Sequence, residues 1–357
     1  MKTTGSPIIS PFSLDDFTLI LFGHSAFQYL NAGAELGIFE HLRSNPNASL
    51  GPIAAATGVP VQSMRCLLFG LTSLRLIIKS GDTYSNGSVI EQLFTDGKWQ
   101  IMLDIIRFES QITYLGQSDF GESLRTGTNI GIRHTPGEGE DLYRRLSQTP
   151  HLKDAFYNYM GSWSRLALPL LLSAVDFTAV RRIADIGGGD GTNAIEIAQR
   201  YPHVEITLVD LPSNCHVAEK RIQAAGLAAR VKMWPADMFV DSLPTGHDCF
   251  MFVHQLVIWP RDVIIKLLSR AFELLPDNGT VVIFNSISSD DETGPVMAAL
   301  DSVYFVSIPA EGGMIHPWKL YEECLRESGF REIKCFKHDA WTPHGTIVAS
   351  KKTQSQE

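Results

Sequence analysis

A Rossmann-like, doubly wound α/β fold preceded by a mostly helical domain is the class that the 357-residue sequence predicts. Three observations lead to it. Strand-like and helix-like apolar patterns alternate after residue 176. The first of those strands runs into a glycine turn, Ile183-Ala-Asp-Ile-Gly-Gly-Gly-Asp-Gly-Thr192. The next apolar run ends in an acid, Asp210, 25 residues beyond Asp185. Because the pattern before residue 176 is helical, the expected domains are 1–175 and 176–357.

The N-terminal domain opens with an almost continuously apolar stretch from Phe17 to Leu42. Within it His24, Gln28, Asn31 and Glu35 recur at i, i+4, i+7 and i+11, one polar stripe on a helix. Residues 50–58, 61–74 and 77–84 then read as helix, turn, helix and short hairpin, a winged-helix pattern. Such a unit either binds DNA or serves dimerisation and packing. Only Arg65, Arg75 and Lys79 lie in it, too few cations for a phosphate-binding face, so dimerisation or packing is favoured. Asp141 to Ala174 is a second long helical stretch, with interruptions expected at Pro150 and Pro169.

In the second domain strands are expected at 182–186, 204–209, 231–235, 249–253, 279–284, 332–336 and 346–349, with helices between most of them and an antiparallel hairpin at the end. Ligands of such sheets sit beyond the carboxyl ends of the strands. The glycine turn, Asp210, Asp237 and the segment around His254 all fall there.

Composition narrows the function. An apolar content of 44% supplies two cores, and a formal charge of −9 argues against nucleic-acid binding. No apolar stretch reaches the eighteen residues of a membrane span, and Asp15 and Asp16 stand where a leader would be basic. Five scattered cysteines without a C-x-x-C pair fit a reduced, cytoplasmic protein. No metal is expected: His338, Asp339 and His344 lack ligand spacing, and Asp290-Asp-Glu292 reads as a solvated loop.

The glycine run carries the chemistry. Without Cβ atoms the backbone turns sharply off the strand and approaches a ligand closely, and the following helix presents its free N–H groups. Asp210 is placed to accept ribose hydroxyls. The spacing is neither G-x-G-x-x-G nor a P-loop. An acidic start at Asp185 suits a ligand with an ammonium group, so S-adenosylmethionine (SAM) is the expected cofactor.

Further motifs extend this reading. Met160 with Ser164, Gly121-Glu-Ser-Leu-Arg-Thr-Gly127, Asp210-Leu-Pro212 and Ala236-Asp-Met-Phe239 resemble those of the plant and fungal type of SAM-dependent O-methyltransferase, the caffeate O-methyltransferase-like family. The resemblance spans roughly residues 15–350. It implies a class I methyltransferase fold and a homodimer joined through the N-terminal domain. It also implies a cofactor site of Ser164, Asp185, Gly187, Gly189, Asp210, Leu211, Asp237, Met238, Phe239 and Val253, with Asp237 on the adenine amine and Met238 against the ring. On the acceptor side it points to Met160, Trp163, His254, Asn285, Tyr304, His316 and Trp318. His24 joins them if the polar stripe lines a neighbouring subunit's pocket rather than a solvated face. His254 is open to two readings, a hydrogen-bonded core residue or an acceptor contact.

One part of the family pattern is missing. Aligned on Trp259, the family's catalytic His falls at Val257 and its neighbouring Asp at Ile258, and the two supporting glutamates fall at Asn285 and Ile315. No catalytic base is therefore expected, although a gapped alignment would let His254-Gln255 take the His-Asp place. A phenol needs its proton removed, work typically worth 10² to 10⁴-fold, whereas a thioether has no proton to lose. That favours S-methylation, and the stretch from Phe284 to Gly345 resembles the branch that methylates 4-methylthio-2-hydroxybutyrate for dimethylsulfoniopropionate synthesis. Methylation of carbon, nitrogen or oxygen in a small natural product, a pericyclic reaction on the same fold, and a regulatory role through the winged helix are the alternatives.

Overall fold

A computed structural model describes residues 12–351. The backbone forms two units, one ending at Arg107 and the other beginning at Phe108. The break expected at residue 175 instead marks where the sheet of the second unit is about to begin.

In the first unit, helix Leu14–Leu21 starts at a capping box. The Ser13 hydroxyl accepts from the Asp16 N–H, and Asp16 accepts from the Ser13 N–H. None of its residues is buried, and Leu14, Phe17, Ile20 and Leu21 are exposed. Helices Leu50–Thr57 and Val61–Ser73 flank a small sheet of β1 (Ala48–Ser49), β2 (Ile77–Ser80) and β3 (Thr83–Asn86), ordered β1-β3-β2. Ile38, Phe39, Leu42, Ile53, Met64, Leu68, Leu71 and Ile77 form the core of this unit.

The second unit is built on seven strands: β4 (Arg182–Ile186), β5 (Glu205–Asp210), β6 (Val231–Pro235), β7 (Cys249–Val253), β8 (Thr280–Ser286), β9 (Arg331–Lys337) and β10 (His344–Ser350). Their order is β6-β5-β4-β7-β8-β10-β9. The first five are parallel, and β10 pairs antiparallel with both β8 and β9. The continuous apolar runs are explained by burial on both faces. On β7, Phe250 and Phe252 enter one core cluster while Cys249, Met251 and Val253 enter the other. Each large side chain so buried contributes about 1.5–3 kcal/mol.

Helix Pro150–Ala174 begins with proline at its first turn, where a missing N–H costs nothing. The interruption expected at Pro169 does not occur, and the helix runs through it. Ala167, Leu168 and Leu171 are buried in the core against the sheet, and that packing outweighs the one hydrogen bond lost.

Candidate active site

The turn after β4 uses three left-handed glycines, Gly187, Gly189 and Gly191, with φ of 70°, 59° and 79°. At Gly188 the constraint is space: a Cβ would sit 2.5 Å from Leu208 Cγ and 2.7 Å from Asp185 Oδ2. Helix Thr192–Arg200 starts at once, so its free N–H groups face the ligand side of the turn. Asp210, at the tip of β5, accepts from the Gly189 N–H at 2.8 Å, the Leu211 N–H at 2.8 Å and Asn214 Nδ2 at 2.9 Å. Burial raises its pKa, and these three bonds oppose the rise.

Beyond β6, Asp237 accepts from the Phe239 N–H at 2.9 Å. Gln255 Nε2 lies 3.3 Å from the Met238 sulfur. These pieces border one cavity of about 400 Å³ beyond the strand ends, with every lining residue between 141 and 305. Ser164, Gly187, Gly189, Asp210, Leu211, Asp237, Met238, Phe239 and Val253 line it, as do Met160, Trp163, His254 and Tyr304.

Four expected residues of this unit lie elsewhere. Asp185 is 1% exposed beneath Gly188, and neither of its carboxylate oxygens has a partner among the described residues. Burial, reinforced by the charge of Asp210, pushes its pKa up to about 7. It supports the turn from below instead of bordering the cavity. Asn285 faces away because neighbouring residues of a strand point to opposite faces: Ser286 lines the cavity, whereas Asn285 Nδ2 donates to the Tyr321 hydroxyl at 3.3 Å. His316 is buried with Nε2 2.9 Å from the Trp259 carbonyl oxygen. Trp318 belongs to the core, its ring pressed on Gly345. His24 is exposed on helix Gly23–Glu35 in the first unit, with Gln28 and Glu35 exposed on the same stripe.

His254 has a left-handed backbone, φ 54°, and its N–H donates to the Phe284 carbonyl at 2.8 Å. Its ring packs on Phe284 and His344 at centroid distances of 5.5 and 5.0 Å. Nε2 has no partner among the described residues, and burial pushes the pKa down to about 4. The imidazole is therefore neutral, and its Nε2 is open to a hydrogen bond from a ligand. Val257 lines the cavity and packs in one apolar cluster with Ile258, Ala298, Ala310 and Ile315. Nothing ionisable occupies the family's base position.

Tyr159 and Tyr304 give the cavity an aromatic wall, backed by Phe108, which stacks on Tyr159 at 3.8 Å and lies edge-on to Tyr304 at 5.3 Å. Asp301 lines this end. Burial and the nearby Glu109 push its pKa up to about 7, against a hydrogen bond from Ser286. Sequence reasoning missed both acids. The signal was Asp301 as the sole charge in helix Val296–Ser307, VMAALDSVYFVS.

The sheet, the turn and the acid-tipped strands define a class, the SAM-dependent methyltransferases of the doubly wound type. The chain belongs to the O-methyltransferase family: the O-methyltransferase domain matches residues 118–331, and the O-methyltransferase dimerisation domain matches residues 18–96. It is 43% identical to the L-tyrosine C(3)-methyltransferase of Streptomyces lavendulae, over 96% of this chain and 94% of that one. It is 30% identical to a 3-hydroxy-5-methyl-1-naphthoate 3-O-methyltransferase of Streptomyces sahachiroi, over 91% of each. Among solved structures, the apo SAM-dependent methyltransferase SibL matches with TM-score 0.84 and 43% identity, over 96% of this chain and all of that one. Human N-acetylserotonin methyltransferase in complex with SAM shares the fold at TM-score 0.84 and 22% identity, over 99% of this chain and all of that one.

The protein is thus an enzyme, a methyltransferase that uses SAM. The expected plant or fungal affinity is corrected: these relatives are bacterial, and nothing in them points to the dimethylsulfoniopropionate branch. No helix among the described residues is long and apolar enough to cross a membrane.

Proposed function

We propose that the enzyme methylates a ring carbon adjacent to the hydroxyl of a tyrosine-like phenol, working as a homodimer. The observation that carries this reading is the apolar Val257 and Ile315 cluster where the family's proton-abstracting machinery belongs. The 43% identity to a tyrosine C-methyltransferase supports it. The thioether acid favoured by the sequence also needs no base, but it bears only negative charge and would face the buried acid Asp301.

SAM supplies a methyl group made electrophilic by its sulfonium. The turn residues Gly187 and Gly189, with Asp210 and Asp237, hold the nucleoside, while Met238, Phe239 and Val253 cover the adenine side and Ser164 and Leu211 close the wall. The orphaned carboxylate of Asp185 and the crowding at Gly188 fit this role, because both keep the turn flat and open to a ligand. Holding a nucleophile in line contributes about 7–11 kcal/mol when the geometry is right.

Carbon attack suits a site without a strong base. An ortho ring carbon is already electron-rich through the phenol oxygen: it takes the methyl as S-adenosylhomocysteine leaves, and its proton passes to solvent only after the new carbon–carbon bond has formed. Neutral His254 accepts a hydrogen bond from the phenol, increasing that electron density and fixing which ring edge faces the methyl. Trp163 and Tyr159 line the wall beside the ring, and Val257 excludes water.

The test is incubation with labelled SAM and a panel of tyrosine-like phenols, simple phenols and thioether acids, with products located by NMR. A methyl on the ring carbon beside the hydroxyl is expected. Methyl found only on oxygen or sulfur would sink the proposal.

A further inference from the structure

We infer that Asp301, which lines the cavity with Glu109 as its charged neighbour, binds a protonated amine, which makes the enzyme select phenols that carry an ammonium group at the end remote from the hydroxyl. The inference deepens the proposed function and rests on its placement of the phenol in this cavity.

The two carboxylates come from separate elements, Asp301 from helix Val296–Ser307 and Glu109 from the single π-helical turn Glu109–Thr113. Glu109 accepts from the Thr113 hydroxyl at 2.5 Å. Among the described residues no Lys or Arg neutralises either acid, whose electrostatic neighbours are each other, Ser286 and Thr113. Two half-buried acids side by side without a cation are costly when ionised, and an ammonium at Asp301 removes that cost. The rings beside them complete the environment: Phe108, Tyr159 and Tyr304 meet at 3.8 and 5.3 Å. Aromatic faces arranged around a desolvated cation attract it further.

A second observation fixes where the rest of the ligand lies. His254, 9% exposed and unpartnered at Nε2, lines the same cavity next to the cofactor residues Val253 and Gln255. It packs on Phe284, whereas Asp301 is bonded to Ser286. Those two strand residues point to the same face and lie two positions apart, a separation of about 7 Å. His254 and Asp301 therefore both border the one cavity, at neighbouring positions along the same face of β8, with Tyr159 and Trp163, 5.9 Å apart, in the wall beside them.

Calorimetry in the presence of S-adenosylhomocysteine tests this with tyrosine, tyramine, 3-(4-hydroxyphenyl)propionate and 4-ethylphenol. Tyrosine and tyramine should bind on the order of 100-fold more tightly than the two phenols without an amine. Asp301→Asn and Glu109→Gln should each erase most of that preference while leaving S-adenosylhomocysteine affinity unchanged. Equal binding of amine and amine-free phenols by the wild-type enzyme, or no binding of either, overturns the inference without recourse to a variant. Retained preference in folded Asp301→Asn and Glu109→Gln proteins does the same. If tyramine binds preferentially but no ring-carbon product forms, the amine site stands and the proposed reaction falls.

Discussion

At the scale of single residues, the proposed reaction sets the phenol on a histidine displaced by three positions from the family's own. His254 is neutral above about pH 4, so kcat should stay level from pH 8 down to 5 and fall only as the pH approaches 4. The KM of an amine acceptor should behave differently. Asp301 is ionised above about pH 7, and losing its charge as the pH drops through 7 should raise KM while kcat holds. A kcat that fell in parallel with the rise in KM would contradict this division of labour. His254→Gln should lower kcat by about 10-fold without weakening SAM binding, as measured by single-turnover rates beside calorimetry. Asp210→Ala, by contrast, should abolish SAM binding. Val257→His should not accelerate carbon methylation, since the step it would assist is not required there; a large increase in ring-methyl product would refute the base-free route.

The glycine turn is a device of the element, and its underside is where strain is stored. Asp185 holds its proton more tightly when folded, with a pKa near 7 against an ordinary 3.8. Folding is therefore opposed at pH values above 7 and relieved as the pH falls toward 4. Asp185→Asn cannot ionise, so its stability relative to wild type should improve between pH 5 and pH 8. Denaturant titrations at both values check this, and an identical difference at the two pH values would count against it. Elements were legible in the sequence where a local pattern was enough. The run CFMFV announced a strand buried on both faces, and Asp-Ile-Gly-Gly-Gly announced the turn. What escaped depended on facing and on distant partners. Asn285 and Ser286 differ by one residue in the sequence and by a whole face in the sheet. Asp301 and Glu109 meet across nearly two hundred residues, which no spacing rule connects. Pro169 read as a break because its local cost is visible and the burial that offsets it is not.

For the whole molecule, the exposed residues Leu14, Phe17, Ile20 and Leu21 present an apolar helix surface next to the dimerisation domain match at 18–96. Surfaces of this kind mark association sites. Ile20→Glu combined with Leu21→Glu should shift sedimentation from a dimer toward a monomer, while circular dichroism stays unchanged; an unaffected dimer would place the contact elsewhere. The sheet has a further consequence, for synthesis. Its order, β6-β5-β4-β7-β8-β10-β9, lodges β10 between two strands made before it. While the ribosome is still translating residues 344–350, β8 has an unpaired edge. β9, which pairs only with β10, has no place in the sheet until then, so the last two strands join the edge of β8 together as an antiparallel pair. Nascent chains stalled just short of residue 344 should remain open to protease, and the passage of those seven residues out of the exit tunnel becomes the moment at which the catalytic unit closes.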